Sequence, residues 1–358
     1  MPIEKIDIDH FLNLSKQLPI LDVRSPAEFN HAHIPHAFSV PIFTDEQRAI
    51  IGTAYVRQSR QTAVDHGLNY FSERMKTIPA EAIQIVNEWQ NNEEIGTSHS
   101  VGNGGFLIHC WRGGMRSEAV AWLLSLYGYR IYLLKGGYKA YRRWTLAQFE
   151  KKYSLKVLGG FTGSGKTEVL KELRRSGKRV IDLELLANHK GSAFGALGEN
   201  PQPTHEMFEN LLGIELWKEA NNGSEETEIW VEDESVHVGK VGIPKPFWEQ
   251  MRQSPIFFMD IPFDERLSYI TETYGVFDKE QVTECILRIQ KRLGGLNTKN
   301  AIQLLSENKT RESFAILLAY YDKFYESGLH KRENIFSLLN KVTCTNVSVA
   351  NAKKLNNP

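Results

Sequence analysis

The chain has little cysteine, no excess charge of one sign and no long apolar run. Its three cysteines, Cys110, Cys285 and Cys344, lie far apart and form no CxxC pair. Disulfide frameworks and thiolate metal sites both need clustered cysteines, so neither is expected, and no metal ligand set is assigned. The 43 lysines and arginines are balanced by 43 aspartates and glutamates. That balance excludes a generally basic nucleic-acid binder and leaves room only for a local patch. No apolar stretch approaches the roughly 20 residues of a membrane span. The opening MPIEKIDIDHFL has no basic segment followed by an apolar one, so the expectation is a cytoplasmic protein without a membrane partner.

What is present suits an ordinary globular protein. The chain has 358 residues, 41% of them hydrophobic and 24% charged, enough for two domains. Short apolar runs alternate with helical periodicity. PILDV (19–23), GFLIHC (105–110) and YRIYLL (129–134) read as strands; SEAVAWLLSLYG (117–128) reads as a helix ending at glycine. The pattern restarts after Glu150. LKVLGG, KRVIDLELLA, TEIWVEDES (227–235) and SPIFFMDIP (254–262) read as four further strands, followed by helices to the C-terminus. Such alternation predicts two α/β domains with mostly parallel sheets, 1–146 and 147–358, the second ending in a helical portion.

GFTGSGKT, Gly160 to Thr167, fits G-x-x-x-x-G-K-[ST] between a strand and a helix. Gly160, Thr162, Gly163, Ser164 and Gly165 turn backbone N–H groups inward to cradle phosphate, and the helix N-terminus adds its dipole. Lys166 supplies a charge and Thr167 a hydroxyl for phosphate or Mg2+. This specifies a di- or triphosphate ligand without specifying a nucleoside. Glu232, Asp233 and Glu234 end a following strand, where acids either serve Mg2+ or a base or are plain surface.

In IHCWRGGMRSEAV (108–120) a strand ends at a cysteine, and a glycine loop leads into a helix. Backbone N–H groups, the helix dipole and Arg112 or Arg116 would lower the Cys110 thiol pKa and bind an oxyanion. Cys110, Gly113, Arg116 and Ser117 match the cysteine phosphatase signature. Upstream, LDVRSPAEFNHAHIP (21–35) resembles the opening motif of rhodanese-type sulfurtransferases, with Asp22, Arg24, Glu28, His33, Ile34 and Pro35 in place. The arginine comes six positions after the cysteine, one more than in the common sulfurtransferase loop, as in rhodanese-related phosphatases. A roomier loop would suit a larger anion.

A second group of basic residues surrounds the domain boundary: Lys135, Lys139, Arg142, Arg143, Lys151 and Lys152, with Glu150 the single acid among them. Tyr138, Tyr141 and Trp144 interleave. Stacking on bases and core packing are both open to these aromatics, and a solvated helix is the alternative to a nucleic-acid contact.

A rhodanese-like segment followed by a P-loop segment resembles the tRNA 2-selenouridine synthases along nearly the full length. CWRGGMRS, GGFTGSGKT, DLELLANHKGSAFG (182–195), QPTHEMFEN (202–210), WVEDESVHVG (230–239) and LAYYDKFYESG (318–328) carry the likeness. Leu185, Lys190 and His205 stand where that family favours glycine, arginine and glutamine.

The resemblance implies an N-terminal rhodanese-like α/β domain and a P-loop NTPase-like α/β domain. It implies conversion of wobble 2-thiouridine in the tRNA anticodon loop to 2-selenouridine, by S-geranylation from geranyl diphosphate and then selenium transfer from selenophosphate. No tightly bound cofactor is expected, with Mg2+ an optional companion of the diphosphate. Cys110 would handle selenium, with Arg112 and Arg116 on selenophosphate, and the P-loop would hold the diphosphate. His189, Lys190, Gly191 and Ser192 become further candidates, His205 and Glu206 weaker ones, and the basic stretch becomes the tRNA contact. The competing readings are a rhodanese-related phosphatase or sulfurtransferase fused to a nucleotide-binding module, and a nucleotide-switched binding protein with a degenerate rhodanese domain. The presence of Cys110 disfavours the last.

Overall fold

The computed structural model describes residues 3–90, 104–221 and 228–356. The turn-rich stretch 96–105 lies mostly outside the described residues, as does Thr227. Contacts divide the chain into two compact units, Met1–Ala147 and Gln148–Pro358. Among the described residues no helix is long and apolar enough to cross a membrane.

The first unit is built on five strands: β1 (Ile3–Ile6), β2 (Ile20–Asp22), β3 (Phe38–Ser39), β4 (Gly105–His109) and β5 (Arg130–Leu134). They lie in the order β1-β5-β4-β2-β3, and every pairing is parallel. β4 is buried at all five positions, as expected of a parallel strand covered on both faces. The register sets Asp22 beside His109, so the ends of β2 and β4 come together and Cys110 emerges at their carboxyl edge. Ligand sites in open α/β sheets lie at that edge.

The second unit repeats the plan. β6 (Leu155–Gly160), β7 (Arg179–Ile181), β8 (Ile229–Glu232), β11 (Ile256–Asp260) and β12 (Leu339–Thr343) form a parallel sheet in the order β12-β11-β6-β8-β7. A small antiparallel hairpin, β9 (His237–Val238) and β10 (Val241–Gly242), stands apart. Ile181 pairs with Val231 and Leu158 with Glu232, which gathers Gly160, Asp182 and Glu232 at one edge.

The structure corrects one strand. KRVIDLELLA is a strand only at Arg179–Ile181; Leu183–Ala187 is a helix. Asp182 stops the strand by capping that helix, its carboxylate accepting from the Leu185 N–H at 2.8 Å. The helical C-terminal portion packs its own core around Leu267, Ile286, Leu305 and Phe314.

Candidate functional sites

Cys110 is 3% exposed and follows β4 directly. The helix after it begins at Met115, so Ser117 lies within its first turn. The Ser117 hydroxyl stands 3.3 Å from Sγ and 2.9 Å from the Gly114 carbonyl, and the Gly114 N–H donates to Sγ at 3.4 Å. Gly113 has φ +68°, and a Cβ there would lie 2.6 Å from the Leu134 carbonyl oxygen. Only glycine lets the loop turn this tightly against the strand beside it. From the far side, Tyr138 and Lys139 donate their N–H groups to the carbonyls of Cys110 and Trp111, at 2.8 and 3.1 Å. With the carbonyls held outward, the loop's N–H groups face the sulfur.

Burial alone would raise the thiol's pKa. The Ser117 hydroxyl, the Arg116 charge and the N–H groups of Gly114 and Arg112 outweigh it, and the thiol titrates below its ordinary value. Cys285 and Cys344 are pushed up by burial instead. Of the three cysteines, Cys110 is the one whose thiol is held below its ordinary value. Arg116 donates to Glu28 at 2.8 Å, which ties the loop to the LDVRSPAEF motif. Arg112 is exposed and makes no ion pair among the described residues. Beneath the loop, buried Asp22 and Arg24 pair at 2.6 Å, and the Arg24 guanidinium lies 3.9 Å from the Tyr138 ring.

Ser117→Ala tests this account of the thiol. A hydrogen bond to a charged group is worth about 1.5–3 kcal/mol, so its loss should raise the Cys110 pKa by about one to two units. The thiolate fraction at neutral pH falls accordingly. Ultraviolet thiolate absorbance against pH, with Cys110→Ala as the blank, reads the shift; an unmoved curve removes Ser117 from the explanation.

In the second unit, the segment after β6 turns through Gly163 (φ +80°) and Gly165 and enters the helix Lys166–Arg175. A Cβ at Gly163 would lie 2.7 Å from the Ile270 side chain. Lys166 Nζ donates to the Gly160 carbonyl at 3.1 Å. The Thr167 hydroxyl donates to Glu184 at 2.9 Å, and the Glu184 N–H to Glu232 at 2.6 Å. Buried Ser164 lies against Gly160, where a Cβ would meet its Oγ at 2.6 Å.

The three acids after β8 part company. Asp233 is taken by an ion pair with buried Arg332 and by the Tyr325 hydroxyl at 2.5 Å, which also accepts from the Gly160 N–H. It fixes the C-terminal segment to the phosphate-binding loop. Glu232 is 1% exposed. Burial, reinforced by Asp182 and Glu184, pushes it well above the carboxylate range. Burial and Glu184 do the same to Glu234, with Lys166 opposing. Glu184 is raised by burial while Lys166 and Thr167 pull it down. Glu184 and Glu234 are therefore the carboxylates that attend Lys166 and Thr167. The sequence reading missed Glu184, although it lies inside a quoted block.

The loop 188–195 distributes its candidates. The carboxylates of Glu184 and Glu234 crowd the Cα of Gly191, where a Cβ would lie 2.8–2.9 Å from them. Ser192 accepts from the Phe194 N–H at 3.2 Å and lines a crevice described below. Lys190 is paired with Glu199 at 2.8 Å. The His189 ring is wedged against the backbone of Gly195 and Gly239, and burial and Arg288 hold its pKa below the ordinary value. Among the described residues no contact joins it to the phosphate-binding loop. His205 accepts from the Gly242 N–H at 3.2 Å; Glu206 is half-buried.

In the first unit Lys135, Lys139 and Arg143 are exposed and Arg142 half-exposed; in the second, Lys151 and Lys152 are exposed. The aromatics differ from the stacking reading. Tyr138 and Tyr141 are fully buried, because the helix Gly137–Phe149 turns that face into its own core. They cannot stack on a base. Trp144 is half-buried, its indole N–H 3.3 Å from Asp9.

Next to Thr162 lies a narrow, mostly apolar crevice walled by Phe194, Ile270, Tyr274, Phe314 and Tyr321, with Ser192 at its polar end. Its walls come from the helices Phe263–Tyr274 and Thr310–His330. Arg266 joins both helices to the loop: its guanidinium donates to the Thr162 carbonyl at 3.1 Å and to both Asp322 oxygens at 2.8 Å. Sequence reasoning missed Arg266 and Asp322 as well.

Comparison with known proteins agrees with both halves. A family profile described as tRNA 2-selenouridine synthase AAA domain matches residues 153–353, and the rhodanese-like domain profile matches residues 8–143. A tRNA 2-selenouridine synthase of Sulfurovum sp. is 33% identical over 87% of this chain and 89% of its own. That of Bdellovibrio bacteriovorus is 32% identical over 93% and 94%, and that of Hydrogenovibrio crunogenus 30% over 89% and 91%. With this coverage of both domains, the chain belongs to the tRNA 2-selenouridine synthase family.

Proposed function

We propose that this enzyme converts wobble 2-thiouridine in tRNA into 2-selenouridine in two steps, S-geranylation from geranyl diphosphate and then replacement of the geranylthio group by selenium from selenophosphate. The observation that carries the reading is the crevice beside Thr162. A phosphate-binding loop with an apolar neighbour suits a diphosphate joined to a hydrocarbon better than a polar nucleoside.

In the first step the uridine sulfur bonds to C1 of the geranyl group, and the C1–O bond breaks towards pyrophosphate. Lys166 and the N–H groups of the phosphate-binding loop stabilise the charge that develops on the leaving group. The N3 proton of the thiouracil leaves to solvent. Among the described residues no cluster of three or more His, Cys, Asp or Glu is arranged to hold a metal. Thr167 and Glu184 do offer hard oxygen donors 2.9 Å apart, which suits Mg2+ arriving with a diphosphate. Bound there, it would neutralise phosphate charge.

In the second step selenium bonds to C2, and geranylthiolate leaves with the C2–S electron pair. An alkylated sulfur departs more readily than a thiocarbonyl, which is why activation comes first. Cys110 delivers the selenium by attacking phosphorus: its thiolate forms an S–P bond as the P–Se bond of selenophosphate breaks. The released hydroselenide attacks C2, and water hydrolyses the S-phosphocysteine to phosphate and free thiol. Exposed Arg112 draws in selenophosphate, and Arg116 shapes the loop from its contact with Glu28. Lys135, Lys139, Arg142, Arg143, Lys151 and Lys152 hold tRNA phosphates, contacts that position rather than specify. An enzyme acting on tRNA in this way would work in the cytoplasm, where its substrate is.

The test incubates the purified chain with a thiolated anticodon stem-loop and analyses nucleosides by mass spectrometry. Geranyl diphosphate alone should yield geranylthiouridine, and added selenophosphate should turn it into selenouridine. Selenouridine formed with ATP in place of geranyl diphosphate would overturn the first step.

A further inference from the structure

The crevice beside Thr162 is one of two neighbouring spaces in the C-terminal helical portion. In its present form it admits only about 20 Å³. A larger, partly open cavity of about 340 Å³ adjoins it, lined by Phe277, Val282 and Leu305 on its apolar side, by the polar Asp278, Lys279 and Thr310, and by Tyr274 and Phe314. Tyr274 and Phe314 line both. Their side chains therefore stand between the narrow space that opens at the phosphate-binding loop and the wide one beyond.

We propose that Tyr274 and Phe314 form a partition that sets the length of the isoprenoid chain accepted with the diphosphate, a specificity device that rests on the geranylation reading. A diphosphate held by Lys166 and the loop can send its hydrocarbon out of water past Thr162 and Ile270 into the crevice. The entrance is fixed: Ile270 packs on Gly163, and Arg266 ties both wall-bearing helices to Thr162. Tyr274 and Phe314, the two rings shared with the wider cavity, close the crevice on that side. A geranyl tail parts the walls and stops against them. A farnesyl tail, one isoprene unit longer, must push through. The wider cavity behind the two rings offers room for such a tail beside Phe277, Val282 and Leu305.

The experiment compares geranyl with farnesyl diphosphate in wild type, Phe314→Leu and Phe314→Ala. Two readouts are used: kcat/KM for alkylation of the thiolated stem-loop, and protection of the protein against thermal unfolding by each diphosphate and by pyrophosphate. One misfitting methylene is worth about tenfold in selectivity, so the farnesyl-to-geranyl ratio should rise at least tenfold in Phe314→Leu and further in Phe314→Ala. Phe314→Leu keeps the core filled and retains the test should the alanine variant fail to fold. An unchanged ratio in folded variants overturns the partition. Equal protection of wild type by pyrophosphate and geranyl diphosphate overturns it too, since the crevice then holds no tail. Tail-dependent protection that shifts with Phe314, in a protein that alkylates no tRNA, would sink the geranylation step and keep the partition.

Discussion

Lys166→Ala should lower geranylation by about 10²–10³-fold while leaving selenation of pre-geranylated tRNA near the wild-type rate. In the proposed first step the lysine attends the departing pyrophosphate, and among the described residues its Nζ donates to the Gly160 carbonyl at 3.1 Å. A cation that acts on a leaving group contributes more in the transition state than in the bound substrate. The loss should therefore fall mainly on kcat, with a smaller rise in KM for geranyl diphosphate. The charge balance around it moves as well. Lys166 opposes the upward displacement of Glu184 and Glu234, so without it both carboxylates hold their protons to higher pH. Equal loss in both half-reactions would mean that Lys166 supports the fold rather than the first step.

The parts of this site visible in the sequence were those built from neighbouring residues. A buried strand, a glycine loop and a helix start occupy a dozen consecutive positions, and both reactive loops have that form. Glycine marks them because the backbone there must turn left-handed or pass close to another chain segment, as Gly113 does against Leu134. Edge strands were harder. β1 is exposed at three of four positions and β3 has two residues, so neither carries an apolar signal. β12 pairs with β11 only after a long helical excursion, and proximity of that kind is not written in local pattern. Leu183–Ala187 was misread because an apolar run suits either structure, and Asp182 decides between them by capping.

The missed site residues share one property: each works through a partner distant in sequence. Glu184 looks like an acid favouring a helix start, and only the fold brings it to Thr167 and beside Glu232. Arg266, Asp322, Tyr325 and Arg332 lie in helices or beyond them, where charged and tyrosine side chains are ordinary. Their reach to Thr162, Gly160 and Asp233 depends on how the C-terminal helices return to the sheet. Asp233 shows the converse. It was grouped with Glu232 and Glu234 as a metal or base candidate, yet its carboxylate is committed to holding that return in place. Three consecutive acids thus have different duties, set by which way each leaves the strand.

Cys110→Ala should abolish selenouridine, by about 10³-fold or more given what removal of an activated nucleophile costs, and should leave geranylation intact. Geranylthiouridine should then accumulate, which a folding defect would not produce. The expectation comes from the proposed division of chemistry between the two units. The sulfur is buried, flanked by the Ser117 hydroxyl and the Gly114 N–H, and titrates below an ordinary thiol, while the other two cysteines are raised. None of those features bears on a diphosphate. The pH profile should follow the thiol: selenation falls as pH drops through the lowered Cys110 pKa, because protonation removes the nucleophile. Geranylation, which does not use the thiol, should not share that limb. Cys110→Ser separates reactivity from packing, since the hydroxyl can keep the Ser117 and Gly114 contacts but does not ionise near neutral pH. Selenation surviving in both variants would remove Cys110 from selenium transfer and leave the rhodanese-like unit as a tRNA-holding module.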